Sequence, residues 1–362
     1  MTAPTPRPGI LDITPYVGGK SSAGDAGRTI KLSSNESPLG PSPRAVEAYR
    51  AAGATLHRYP DGGATALREA LAAQHGLDPA RIVCGNGSDE LLALLTRAYA
   101  GPGDEVLYSE YGFLIYPIAA RSAGATPVAA PERDLRMDVD ALLERAGERT
   151  RVVFIANPNN PTGDYLPATE VARLRAGLPE TTLLVIDAAY AEYVGARDYD
   201  DGAALVAAHD NVVMTRTFSK IHGLAALRLG WAYCPASVAD VLNRIRGPFN
   251  VTAPALAAGV AALADRAHRD AARRHNDRWL PWLSAALSRL GLDARPSVGN
   301  FVLVRFPTGP GRDADAANAF LMARGIVPRT MREYRLPDSL RITVGLEDEM
   351  RAVVDALAEF MS

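Results

Sequence analysis

Between residues 41 and 247, short continuous apolar runs alternate with stretches of helical pattern. The runs fall at 81–84, 105–108, 152–155, 183–186, 212–214 and 230–233, with helical patterns between many of them, as at 88–100 and 168–176. An apolar run without polar alternation suits a strand covered on both faces. Strands of that kind separated by helices predict an α/β architecture with a mainly parallel central sheet. Ligands of such sheets bind beyond the carboxyl ends of the strands, so the segments after each run are where chemistry is expected. Residues 1–40 are rich in Pro, Gly and Ser and read as an extended arm, leaving 41–247 as the large domain. From 248 the pattern changes. An Ala-rich helical stretch (252–290) leads to a strand at 301–304, a helix at 314–324, a strand at 340–344 and a terminal helix. Residues 248–362 therefore predict a smaller α+β C-terminal domain, and no internal repeat is visible.

Composition narrows the class of function. The chain is 48% hydrophobic and 22% charged, with a net charge of −2, so nothing favours a nucleic-acid partner. Cys84 and Cys234 are too few for a disulfide framework or a zinc site, and the six histidines show no metal-ligand spacing, so no metal is expected. No run approaches the roughly 18 apolar residues of a membrane helix. The amino terminus lacks the apolar core of a signal peptide, and a cytoplasmic enzyme is the expectation.

One residue sharpens this. Among 39 Lys and Arg residues only three are lysines: Lys20 and Lys31 in the arm, and Lys220. Lys220 follows the apolar run 212–214 within Thr217-Phe218-Ser219-Lys220, with Arg228 eight residues on. An arginine would serve surface charge as well, whereas only a lysine can lose its proton and attack a carbonyl. A nucleophilic amine among hydroxyls, followed by a fixed cation, suits a phosphorylated aldehyde cofactor. The run ending at Cys84 leads into Gly85-Asn86-Gly87-Ser88-Asp89, a turn and helix start whose amides can hold an anion. The run ending at Ile155 leads into Asn157-Pro158-Asn159-Asn160-Pro161-Thr162-Gly163, where prolines stiffen the chain around amide side chains. The run ending at Ile186 leads into Asp187-Ala188-Ala189-Tyr190. A carboxylate there needs a cationic partner, and a pyridinium nitrogen would be one.

In order and spacing, Asn160-Pro161-Thr162-Gly163, Asp187-x-x-Tyr190 and Ser219-Lys220 with Arg228 resemble the cofactor motifs of the class I/II, fold-type-I pyridoxal-phosphate aminotransferases. Within that family the similarity is greatest to enzymes acting on histidinol phosphate. It covers nearly the whole chain, through Ser34-Asn35-Glu36-Ser37-Pro38, Arg58-Tyr59-Pro60-Asp61, Asn300-Phe301-Val302 and Leu340-Arg341-Ile342. The resemblance implies pyridoxal 5′-phosphate as cofactor and these roles. Lys220 attaches the cofactor and moves the proton, Asp187 pairs with the ring nitrogen, and Tyr190 and Asn160 hold the ring oxygen. Tyr111 stacks on the ring. Ser88, Asp89, Thr217, Ser219 and Arg228 bind the phosphate. Tyr59 reaches the phosphate in a partner subunit, which implies a homodimer. Arg341 and Arg329, with Asn35 and Tyr16, bind substrate.

The implied reaction is transamination between histidinol phosphate and 2-oxoglutarate. The rivals are an aromatic amino-acid aminotransferase, a decarboxylase of the same fold, and a cofactor-sensing regulator, for which the arm is too short to supply a DNA-binding domain. Several positions depart from the family pattern. His222 and Ala226 stand where relatives carry an aromatic residue and a glycine, Ser37 replaces an asparagine, and Arg335 replaces a glycine after Tyr334. Arg335 is expected to add a cation near the substrate arginines.

Overall fold

The computed structural model describes residues 4–24, 28–309 and 311–362. Seven strands form the central sheet: β2 (Ile82–Gly85), β3 (Glu105–Ser109), β4 (Thr126–Ala130), β5 (Thr150–Ala156), β6 (Leu183–Asp187), β7 (Val212–Thr217) and β8 (Gly230–Tyr233); β1 (Ile30–Lys31) precedes them and lies elsewhere. Their spatial order is β2-β8-β7-β6-β5-β3-β4. Only β8 runs antiparallel to its neighbours. Successive side chains alternate between two cores. Val83, Val106, Val152, Phe154, Val185 and Val213 face one layer, with Leu91, Leu92 and Leu95 of the helix Ser88–Tyr99. Cys84, Leu107, Val153, Ile155, Ile186 and Met214 face the other. Both faces are thus covered, as the apolar runs require.

The register decides which loops meet. In the parallel ladder β5-β6-β7, Ala156 lies beside Asp187 and Asp187 beside Thr215. The segments that follow these strands therefore emerge together at one edge of the sheet.

The smaller lobe holds an antiparallel sheet ordered β12-β13-β10-β9, from β9 (Asp293–Ala294), β10 (Phe301–Arg305), β12 (Arg329–Thr330) and β13 (Ser339–Thr343). The helices Arg266–Arg289, Ala314–Ala323 and Glu347–Met361 complete it. Two features differ from the sequence expectation. Part of the arm belongs to this lobe: β1 pairs in parallel with β11 (Ile326–Val327), and Ile30 and Leu32 enter the lobe's core. The change of core also falls later than residue 248. The helix Ala253–Ala264 packs its Ala255, Ala258 and Ala262 into the large-domain core with Leu67 and Leu71. Small side chains let it lie close: a Cβ on Gly259 would stand 2.5 Å from Leu229. The edge strand β4 has little strand signal in sequence because it carries Pro127 and two alanines; an edge strand tolerates the proline.

Candidate active site

A cavity of about 240 Å³ opens where the loops after β5, β6 and β7 meet the smaller lobe and the arm. Lys220, three residues past β7, projects into it and donates from Nζ to the Ser34 carbonyl at 3.1 Å. Burial, then the Arg341 charge, lowers its pKa to about 8. The amine is therefore half neutral at that pH, as a nucleophile requires.

Asp187 ends β6 inside the same cavity and is 4% exposed. Its Oδ2 accepts from Tyr116 Oη at 3.0 Å and its Oδ1 from Thr215 Oγ1 at 3.1 Å. Burial raises its pKa to about 6, with the two donors working against that rise. Sequence reasoning missed both donors. Thr215 carried a faint signal, a hydroxyl two residues before Thr217 on the same strand face; Tyr116 carried none.

One end of the cavity is built for an anion. Gly87 begins the helix Ser88–Tyr99 at φ 82° with no side-chain cap, leaving the first-turn amides free. Arg228, at φ 49°, lays its guanidinium over this turn, donating to Ser219 Oγ at 3.2 Å and to Asp89 Oδ2 at 3.0 Å. A Cβ on Gly87 would stand 2.6 Å from that guanidinium, so this turn needs glycine on two counts. The Thr217 hydroxyl accepts from the Ser219 amide at 3.0 Å and lines the same end.

The opposite end is cationic. Arg329 and Arg341 are directly paired residues of β12 and β13, each 5% exposed, and both line the cavity. Arg341 donates to Asn160 Oδ1 and, at 2.9 Å, to the Ser33 carbonyl, while its buried Nε has no partner. Because arginine only donates, Asn160 must turn its oxygen to Arg341 and its NH₂ toward the cavity. Arg329 donates to the Val17 carbonyl at 2.7 Å and lies under the Tyr16 ring. Asn35 donates to Tyr190 Oη at 2.8 Å, which orients that phenol.

Three expected residues lie elsewhere. Tyr111 packs with Leu135, Leu303 and Met331 instead of entering the cavity; Phe113, two residues on, lines it. The turn explains this. Gly112 donates its amide to the Ser109 carbonyl at 2.7 Å, and the fold of the chain there carries Phe113 inward. Tyr59 is 82% exposed, stacked on Phe249 outside this chain's cavity. Arg335 does not join Arg329 and Arg341: it extends along Glu110 on the outer surface. Its φ of 61° shows why the position suits glycine. His222 is buried against Phe218 with a pKa lowered to about 4 by burial, so it stays neutral and fills an aromatic's place. Ala226 is exposed, and Ser37 leaves a buried hydroxyl unpartnered.

Amine, buried carboxylate, capless helix start and free amide donor form the complement of pyridoxal phosphate: aldehyde, ring nitrogen, phosphate and ring oxygen. Fold and site thus define a pyridoxal-phosphate-dependent enzyme of fold type I. The chain belongs to the aminotransferase class I and II family, whose profile matches residues 28–357. It is 63% identical to histidinol-phosphate aminotransferase of Paramagnetospirillum magneticum, over 100% of this chain and 99% of that one. It is also 63% identical to the enzyme of that name from Rhodospirillum centenum, with the same coverage. Among solved structures, histidinol-phosphate aminotransferase of Sinorhizobium meliloti, in complex with pyridoxal-5′-phosphate, superposes with a TM-score of 0.88 at 32% identity. That match covers 98% of this chain and 97% of the other.

Proposed function

We propose that this enzyme transfers the amino group of histidinol phosphate to 2-oxoglutarate, giving imidazole acetol phosphate and glutamate in histidine biosynthesis, and that it works as a cytoplasmic homodimer. The observation that carries the substrate is the cross-strand pair Arg329 and Arg341. Like charges directly opposite in a sheet are destabilising. Burial, and the Arg329 charge beside it, pull the Arg341 pKa below its ordinary value. Two buried cations facing a cavity suit an anion carrying more than one charge. A phosphate monoester has that charge near neutral pH.

Pyridoxal phosphate, when bound, supplies an electrophilic aldehyde and a ring that accepts an electron pair. The protein's part follows from its own groups. Lys220, its pKa lowered to about 8, would hold the cofactor through its amine and would serve as the base that moves the substrate proton. Asp187 stays ionised above its pKa of about 6 and favours a protonated ring nitrogen. Asn160 through its NH₂ and Tyr190 through its phenol would hold the ring oxygen. The helix start at Ser88 and Asp89, with Arg228, Ser219 and Thr217, would anchor the cofactor phosphate. Arg341 and Arg329 then receive the substrate anion, with Asn35 and Tyr16 closing that end. Tyr59, exposed here, reaches the phosphate end of the second subunit's site.

A second reading, an aromatic amino-acid aminotransferase, has one observation in its favour: Tyr16, Phe113 and Tyr334 line the same cavity. Steady-state assays of histidinol phosphate, histidine, phenylalanine and tyrosine against 2-oxoglutarate separate the two. Histidinol phosphate is expected to have the highest kcat/KM; a higher value for phenylalanine or tyrosine replaces the proposal with the second reading.

A further inference from the structure

Tyr116 lies in the first turn of the helix Ile115–Ala123 and is 1% exposed. Its ring stacks on Phe154 with centroids 4.7 Å apart and planes at 4°, and meets Phe113 edge-on at 6.0 Å. These contacts leave the ring little freedom. Its hydroxyl donates to Asp187 Oδ2 at 3.0 Å, its one hydrogen bond among the described residues. A phenol buried among apolar groups and aimed at a single carboxylate oxygen is a directional element: it must donate, because an ionised carboxylate only accepts. Burial, followed by the Asp187 charge, holds the Tyr116 phenol well above its ordinary pKa, so it keeps its proton.

We propose that Tyr116 is a positioning residue for Asp187: with Thr215 it fixes the plane of the carboxylate and keeps it ionised, so that the cofactor's ring nitrogen meets a charged partner. The inference rests on the reading of Asp187 as the ring-nitrogen partner. The groups facing Asp187 are few. Tyr116 and Thr215 donate to it, the Asp89 charge disfavours its ionisation and the Lys220 charge favours it. Burial favours a protonated carboxyl, which would lose the ionic contact; the two hydroxyls oppose that.

Tyr116→Phe is the test because it keeps the stacked ring and removes only the donor. Purified apoenzyme is titrated with pyridoxal phosphate between pH 5.5 and 8.5, read by cofactor absorbance, with thermal unfolding as a check of the fold. Loss of a hydrogen bond to the ionised form should raise the Asp187 pKa. The pH at which cofactor affinity falls should then move up by about one to two units relative to wild type. The cofactor's own titration is common to both proteins and cancels in the comparison. Thr215→Val, which leaves the aromatic stack untouched, should shift the profile the same way. Asp187→Ala should weaken affinity throughout and flatten the difference. Identical profiles for wild type and both hydroxyl variants, with Asp187→Ala still weakened, overturn the role of Tyr116 alone. An unchanged affinity in Asp187→Ala overturns the ring-nitrogen reading along with it.

Discussion

Replacing Arg329 by methionine tests the anion end most directly. The two arginines are paired residues of neighbouring strands, so each experiences the other's charge in the free enzyme. Arg341 is already committed to Asn160 and the Ser33 carbonyl. Arg329 is tied to the Val17 carbonyl, with Glu333 at 3.7 Å, and has donors to spare for a ligand. A hydrogen bond to a charged group contributes about 1.5–3 kcal/mol, which is roughly 10- to 150-fold in a specificity constant. A phosphate, bearing nearly two charges, should lose that full amount. The distal carboxylate of glutamate, bearing one, should lose less because Arg341 remains. Stability should move the other way or not at all. Relief of like-charge opposition is about 0.2–1 kcal/mol, and methionine fills much of the vacated volume. The assay is single-turnover kinetics of each half-reaction, with urea unfolding in parallel. A protein that keeps its fold yet loses histidinol phosphate more than glutamate fits the reasoning. Equal losses for both donors, or none, would refute the assignment of Arg329 to the phosphate.

Three further outcomes are expected. Borohydride reduction of the holoenzyme followed by peptide mapping should place the pyridoxyl label on Lys220, and Lys220→Arg should abolish it; a label on Lys31, which instead pairs with Glu36 at 2.6 Å, would sink the assignment. Glu132 is half-buried near Glu110 and Asp164, accepts from the Ser109 hydroxyl and Tyr111 amide, and has its pKa raised from 4.5 to about 7, chiefly by loss of solvent. Its folded pKa lies above the unfolded one, so stability is lost as pH rises between those values. Glu132→Gln should therefore stabilise the protein at pH 8 by up to about 3 kcal/mol and by little at pH 4.5, read by urea melts. Mixing Tyr59→Ala with Lys220→Ala protein under subunit exchange should restore activity above either alone, since one site of the heterodimer regains both residues. A fully active monomer in sedimentation would contradict the shared site.

Several features were legible in the residues alone because they are local. Continuous apolar runs with helices between them specify strands covered on both faces, and those strands place Asn160, Asp187 and Lys220 at or just past their carboxyl ends. The lone lysine in the body of the chain and the carboxylate after an apolar run needed no tertiary contact to be noticed. Other features required the folded chain. The donors to Asp187 come from 71 residues upstream and 28 downstream. The choice of Phe113 over Tyr111 for the cavity wall rests on one turn. The helix Ala253–Ala264 is apolar along its whole length and mostly small, so its pattern could not say which lobe it joins; close packing on the large-domain core decided that. Arg329 and Arg341 stand twelve residues apart in the chain, and only the register of β12 on β13 makes them one site. The difference is physical: backbone pattern and side-chain chemistry are properties of a segment, whereas register, burial and the partner of a polar atom depend on which distant segments pack together.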